Sequence, residues 1–203
     1  MQNSGALSHW GVYSVPAGMW EGKKVGGYTE HLMRKAQIPL VKYIKELVLP
    51  FNPVDFDADE WMQTIRDAGM KYVVITAKHH DGFAMFQSNA SNFNMVDYTP
   101  FKRDVIDEFV KACRKYDMKF GFYYSQSQDW CNSGGATARK LMHEGWPNPD
   151  SVRINEFTAA NRGAWDCLQT DNTFDEYFHS VALPQVKELL ERYSDVSVIW
   201  WDT

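Results

Sequence analysis

Three times along the chain, an amphipathic helical segment leads through a short turn into an apolar run, and this repeat limits the fold more than any other feature. In the first unit Asp57 is placed to cap a helix, and Glu60 follows three positions later as in a capping box. Trp61, Met62, Ile65 and Ala68 recur at helical spacing, Gly69 ends the helix, and residues 71–76 (KYVVIT) read as a buried strand. The second unit opens at Asp104. Val105, Ile106, Phe109, Val110 and Cys113 form its apolar face, Asp117 marks the turn, and residues 119–124 (KFGFYY) are the strand. The third helical segment spans residues 173–193, where Pro184 is expected to kink or restart it, and Ser194-Asp195 turns the chain into a strand at 196–201.

Before these units, residues 5–13 are predicted to form a short strand. A glycine-rich loop (Gly18 to Gly27) and one or two short helices over 28–48, broken near Pro39, follow. Strands alternating with helices call for a parallel sheet covered by helices. Two architectures fit: an open doubly wound sheet, or part of a (β/α)8 barrel. A dinucleotide-binding sheet requires a G-x-G-x-x-G turn after the first strand, and none is present. A closed barrel needs eight strands and about 250 residues. Four strands in 203 residues therefore predict an α/β fold comprising the first four βα units of a (β/α)8 TIM barrel, with residues 1–203 forming the N-terminal half of one domain. Residues 125–172 carry no clear periodicity, and non-periodic segments of that length are usually functional.

Composition narrows the partners. The net charge is -5 with no basic run, which argues against nucleic acid as a ligand. No apolar stretch approaches the roughly 20 residues of a membrane-crossing helix, and residues 1–8 lack the pattern of a secretory signal. Cys113, Cys131 and Cys167 fit neither a disulfide framework nor a zinc pattern. Aromatic residues make up 15% of the chain, enough to line a sugar site as well as a core.

Polar and ionisable residues collect at the carboxyl end of every predicted strand, the end where active sites of parallel barrels lie. His9 follows the first strand, Lys78-His79-His80-Asp81 the second, Tyr124-Ser125 with Asp129-Trp130 the third, and Asp202 ends the fourth behind Trp200-Trp201. Adjacent strand histidines point to opposite faces, so a shared metal ion is not expected, and no zinc spacing supports one. Two imidazoles can instead bond the hydroxyls of a neutral ligand. A carboxylate at a barrel mouth beside an indole suits attack on an anomeric carbon, or simple capping of a following helix. Glycoside hydrolysis needs a second carboxyl group, for which Glu21, Glu30, Asp129, Glu144 and Glu156 are in view.

Taken in order, His9-Trp10-Gly11-Val12-Tyr13, Tyr28-Thr29-Glu30, Phe51-Asn52-Pro53, Asp67-Ala68-Gly69-Met70-Lys71-Tyr72, Lys78-His79-His80-Asp81-Gly82-Phe83, Gly121-Phe122-Tyr123-Tyr124-Ser125 and Trp200-Trp201-Asp202 resemble the α-L-fucosidase family of glycoside hydrolases. The resemblance implies a retaining exo-glycosidase that removes terminal α-L-fucose from glycans without metal or organic cofactor. Asp202 matches the family's nucleophile, and His9, His79 and His80 match residues that bond the sugar's hydroxyls. Glu30 matches a polar sugar contact and Trp200 an aromatic wall. Tyr124 matches a tyrosine of the pocket, with Tyr123 the alternative if the register slips by one. His31 stands where the family often has Trp, and it is expected to shape the substrate pocket. The family's acid/base carboxyl comes from a later part of the barrel than Thr203. A secreted, periplasmic or lysosomal setting would fit the family. The alternatives left open are a fucose-binding fragment without catalysis and a barrel glycosidase for a related sugar such as galactose.

Overall fold

A computed structural model describes residues 4–138 and 155–202. Four parallel strands lie side by side in the order in which the chain makes them: β1 (Gly5–Ser8), β2 (Tyr72–Lys78), β3 (Lys119–Ser125) and β4 (Val198–Asp202). Helices α1 (Ala58–Asp67), α2 (Val105–Lys115) and α3 (Leu183–Arg192) each precede the strand they feed. A doubly wound sheet reverses direction at a switch point; a sheet wound one way in sequence order is an arc of a barrel.

Burial explains why the central strands are uninterrupted apolar runs. Every residue of β2 and β3 after the first is buried, because helices cover one face and other side chains the other. On the helical side Ile106, Phe109 and Val110 of α2 join Ile75 and Phe122 in the core, and α1 meets α2 where Cys113 Sγ lies 3.5 Å from Met62 Sδ. The predicted caps form. Asp57 accepts the amides of Asp59 and Glu60, and Asp104 accepts that of Asp107. Gly121 is required by close approach: a Cβ there would stand 2.3 Å from Cγ1 of Val198 on β4.

Two boundaries depart from the sequence reading, and the break at Pro184 agrees with it. β1 stops at Ser8 rather than running toward Tyr13. The Thr76 hydroxyl takes the Ser8 carbonyl (3.1 Å), and Trp10 leaves the sheet to stack on Phe56 with its edge against Trp61. The third helical segment does restart at Pro184, through a wide π turn (Phe178–Ala182) between Phe174–Tyr177 and α3. Proline's missing N–H makes it compatible with the first turn of the restarted helix. β4 begins at Val198, two residues later than predicted, and reaches Asp202.

Candidate active site

Because the strands are parallel and in register, their carboxyl ends deliver His9, His79-His80, Ser125 and Asp202 to one rim. Side-chain alternation puts Tyr123 and Ser125 of β3 on the same face as their register partners Trp200 and Asp202 of β4. The Tyr123 hydroxyl donates to Oδ2 of Asp202, and Nε2 of His80 lies 3.8 Å from that oxygen. The ring of His79 stacks on Tyr123 at 4.8 Å, while His9 meets both rings edge-on at 5.3 and 4.8 Å. His31 lies over His80 (5.4 Å) and edges against Trp130 (6.2 Å), which packs under His80. Glu30 completes the group: its carboxylate and the nitrogens of His9 and His79 lie within 4.8 Å of one another. Trp200 stands on the Asp202 face, 50% exposed, as a wall would.

Two readings need correction. The adjacent histidines do not diverge to opposite faces. β2 ends at Lys78, so both sit in the turn beyond it, with ring centroids 4.5 Å apart on the same pocket. Tyr124 does not line the pocket. It occupies the other parity of β3, buried beneath the helices, where its hydroxyl donates to Oε1 of Gln185 (2.8 Å). Tyr123, the neighbour in register with Trp200, is the tyrosine that faces and bonds Asp202.

Of the carboxylates in view, Asp129 is fully enclosed in an ion pair with Lys78 (2.8 Å), which removes it from acid/base work. Glu21 is exposed and paired with Lys42, and Glu156 opens a short helix (Glu156–Ala160). Glu144 lies outside the described residues.

The surroundings tune the groups. Burial, reinforced by His9 and His31, holds the His79 imidazole well below its ordinary range, so it is neutral. Burial and then the bond to Asp202 push the Tyr123 phenol far up, so it stays a donor. Below the rim the buried Asp81 accepts from the Tyr43 hydroxyl (2.8 Å) and the Phe83 amide, and burial raises its carboxyl to about 6. Gly82 turns the chain there with φ +82°. A Cβ at that position would stand 2.0 Å from Oδ1 of Asp129.

Two imidazoles and a carboxylate are also the donor set of some metal sites. The hydrogen bonding opposes that use here. Nδ1 of His79 accepts the His80 amide at 2.8 Å, so in the neutral ring Nε2 holds the proton and has no lone pair for an ion. The same trio suits hydroxyl groups, which accept from N–H and donate to carboxylate.

The α-L-fucosidase family profile matches residues 2–203. The chain belongs to the α-L-fucosidase family. A Caenorhabditis elegans relative is 35% identical over 206 residues, covering 98% of this chain and 36% of its own length. Human plasma α-L-fucosidase is 37% identical over 130 residues, 60% of this chain and 27% of that one. Among solved structures, the unliganded α-L-fucosidase AlfC of Lactobacillus casei superposes with a TM-score of 0.83 at 36% identity, over 98% of this chain and 57% of that chain. An aspartate-to-alanine mutant of AlfC has been solved with 4-nitrophenyl-α-L-fucopyranoside and with Fucα(1,6)GlcNAc. This chain thus spans about a third of the worm relative and under three-fifths of AlfC. Its four strands in sequence order are part of the TIM-barrel catalytic fold of the α-L-fucosidases.

Within that fold, sequence reasoning named but gave no role to Tyr13 and Trp130, whose rings support His79 and His80, or to the Ser125 hydroxyl bonded to His80. Trp130 had a signal in its place beside Asp129 after β3. Tyr13 was absorbed into an overlong first strand.

Proposed function

We propose that residues 1–203 form the N-terminal half of the catalytic barrel of a retaining α-L-fucosidase that hydrolyses terminal α-L-fucosyl residues of glycans, with Asp202 as nucleophile. The observation that carries this reading is Asp202 itself: a half-buried carboxylate at a strand end, bonded by the Tyr123 hydroxyl and flanked by His80 and Trp200. His9, Glu30, His79 and His80 hold the sugar's hydroxyls, and Trp200 covers its apolar face. His31, with its ring over His80, lines the wall that faces the departing group.

Asp202 attacks the anomeric carbon as the glycosidic bond to the leaving oxygen breaks, giving a covalent glycosyl-enzyme. Water then displaces Asp202 with a second inversion, so the configuration is retained. The reading assigns the proton to the leaving oxygen, and the later activation of water, to a carboxyl from a later part of the barrel. The co-structures of AlfC with α-L-fucosides support the substrate class.

The test uses 2-deoxy-2-fluoro-α-L-fucosyl fluoride, whose fluoride departs without general-acid help. Mass spectrometry is expected to show one adduct, mapping to Asp202 and absent in Asp202→Asn, while calorimetry shows Asp202→Asn still binding L-fucose. Binding of fucose by the unmodified chain with no adduct, or an adduct on another residue, would refute Asp202 as nucleophile.

A further inference from the structure

We propose that His79 and His80 are held in opposite neutral tautomers, and that Ser125 is the positioning residue that sets the second of them. Nδ1 of His79 lies 2.8 Å from the backbone nitrogen of His80, and an amide N–H can only donate. Nδ1 therefore carries the lone pair and Nε2 the hydrogen, so His79 presents a donor.

For His80 the assignment is reversed. Its Nδ1 lies 2.6 Å from Oγ of Ser125, and that hydroxyl in turn lies 2.8 Å from the carbonyl oxygen of Gln128. A carbonyl only accepts, so the single hydroxyl hydrogen goes to Gln128, and Oγ receives the hydrogen on Nδ1 of His80. In the neutral ring that this proposal assigns to His80, Nε2 then presents a lone pair. All of these groups are buried, so water does not stand in for either partner.

Two rings 4.5 Å apart thus offer one donor and one acceptor side by side. This pattern fits neighbouring hydroxyls of a sugar, one accepting from His79 and the other donating to His80. It discriminates against carboxylates, which when ionised have no hydrogen for His80. The arrangement also protects the nucleophile. Nε2 of His80 faces Oδ2 of Asp202 at 3.8 Å, and in the other tautomer its N–H would be directed at that carboxylate and blunt it. Ser125 touches neither sugar nor Asp202 in this scheme and acts through the ring it orients. The ligand assignment rests on the fucosidase reading above; the tautomers do not.

The test is long-range 1H–15N correlation spectroscopy on the 203-residue chain with 15N-labelled histidine, each ring assigned from its His→Gln variant. The expected pattern is a protonated Nε2 on His79 and a protonated Nδ1 on His80. Ser125→Ala should shift His80 toward the Nε2-protonated form and slow trapping by the fluorosugar about tenfold, the worth of one hydrogen bond of about 1.4 kcal/mol. Ser125→Thr, which keeps the hydroxyl, should restore both. An Nε2-protonated His80 in the unmodified chain overturns the proposal, whatever the variants do. So does a Ser125→Ala variant with unchanged tautomer and unchanged trapping. If the expected spectrum comes with no fucose binding, the tautomers stand and the functional reading fails.

Discussion

Lys78 and Asp129 have no exposed side-chain surface, and their pairing should be among the costliest contacts to break. Nζ of Lys78 lies 2.8 Å from Oδ2 of Asp129 and 2.6 Å from the Tyr177 hydroxyl, with the Tyr124 ring 4.8 Å away. The carboxylate also receives the Asn132 amide and side chain, both at 2.8 Å. Lys78→Met keeps the volume but leaves a buried carboxylate without its ammonium partner, which should cost about 3–5 kcal/mol; Asp129→Leu should cost a similar amount. The double variant removes both charges and should lose less than the two singles combined, with a coupling of about 2 kcal/mol or more. Urea unfolding followed by circular dichroism reads this directly. With a slope of about 2 kcal/mol per molar, each single variant should lower the midpoint by roughly 2 M. Singles that each cost under about 1 kcal/mol, or a double equal to their sum, would show that the pair contributes nothing as a pair.

Burial lifts Asp81 from an ordinary 3.8 to about 6, so the folded state binds that proton more tightly than the unfolded one. Its contribution is present below about pH 4 and lost as pH rises through 6, about 3 kcal/mol in all. Asp81→Asn should flatten that part of the pH–stability curve, and an unchanged slope would contradict it. Tyr124→Phe should cost about 1 kcal/mol of stability through its bond to Gln185 and leave fucose affinity alone. Tyr123→Phe should instead weaken trapping at Asp202, and the reverse result would restore Tyr124 to the pocket. Gly121→Ala should destabilise by about 1–3 kcal/mol, because its methyl would collide with Val198; calorimetric melting decides. Leu7, Tyr72, Val198 and Trp200 lie partly exposed on one face of the sheet. Light scattering should therefore find the 203-residue chain self-associating, and a concentration-independent monomer would count against this.

Much of the architecture was legible because helix and strand periods are hard to confuse where burial is complete. The α2 pattern Val105, Ile106, Phe109, Val110 and Cys113 became a wholly buried stripe. The clustering of His9, His79, His80 and Asp202 followed from parallel strands alone. Periodicity could not assign Tyr123 and Tyr124, since a strand buried on both faces gives no polar alternation to set the parity; the pairing with Trp200 and Asp202 puts Tyr123 on their face. The two histidines were misjudged because strand alternation was carried one residue past Lys78. The shortened β1 was illegible for a related reason. Trp10 leaves the sheet for Phe56 and Trp61, partners some fifty positions away that no local pattern reveals.

Among the described residues, β4 is an edge strand whose one strand neighbour is β3, paired from Gly121–Val198 to Ser125–Asp202. Edges open at a smaller free-energy cost than the interior. The carboxylate assigned to attack therefore rides on one of the two edges of this sheet. On warming, loss of reactivity at Asp202 would run ahead of loss of secondary structure, and the gap between the two temperatures would measure how firmly that strand is fastened.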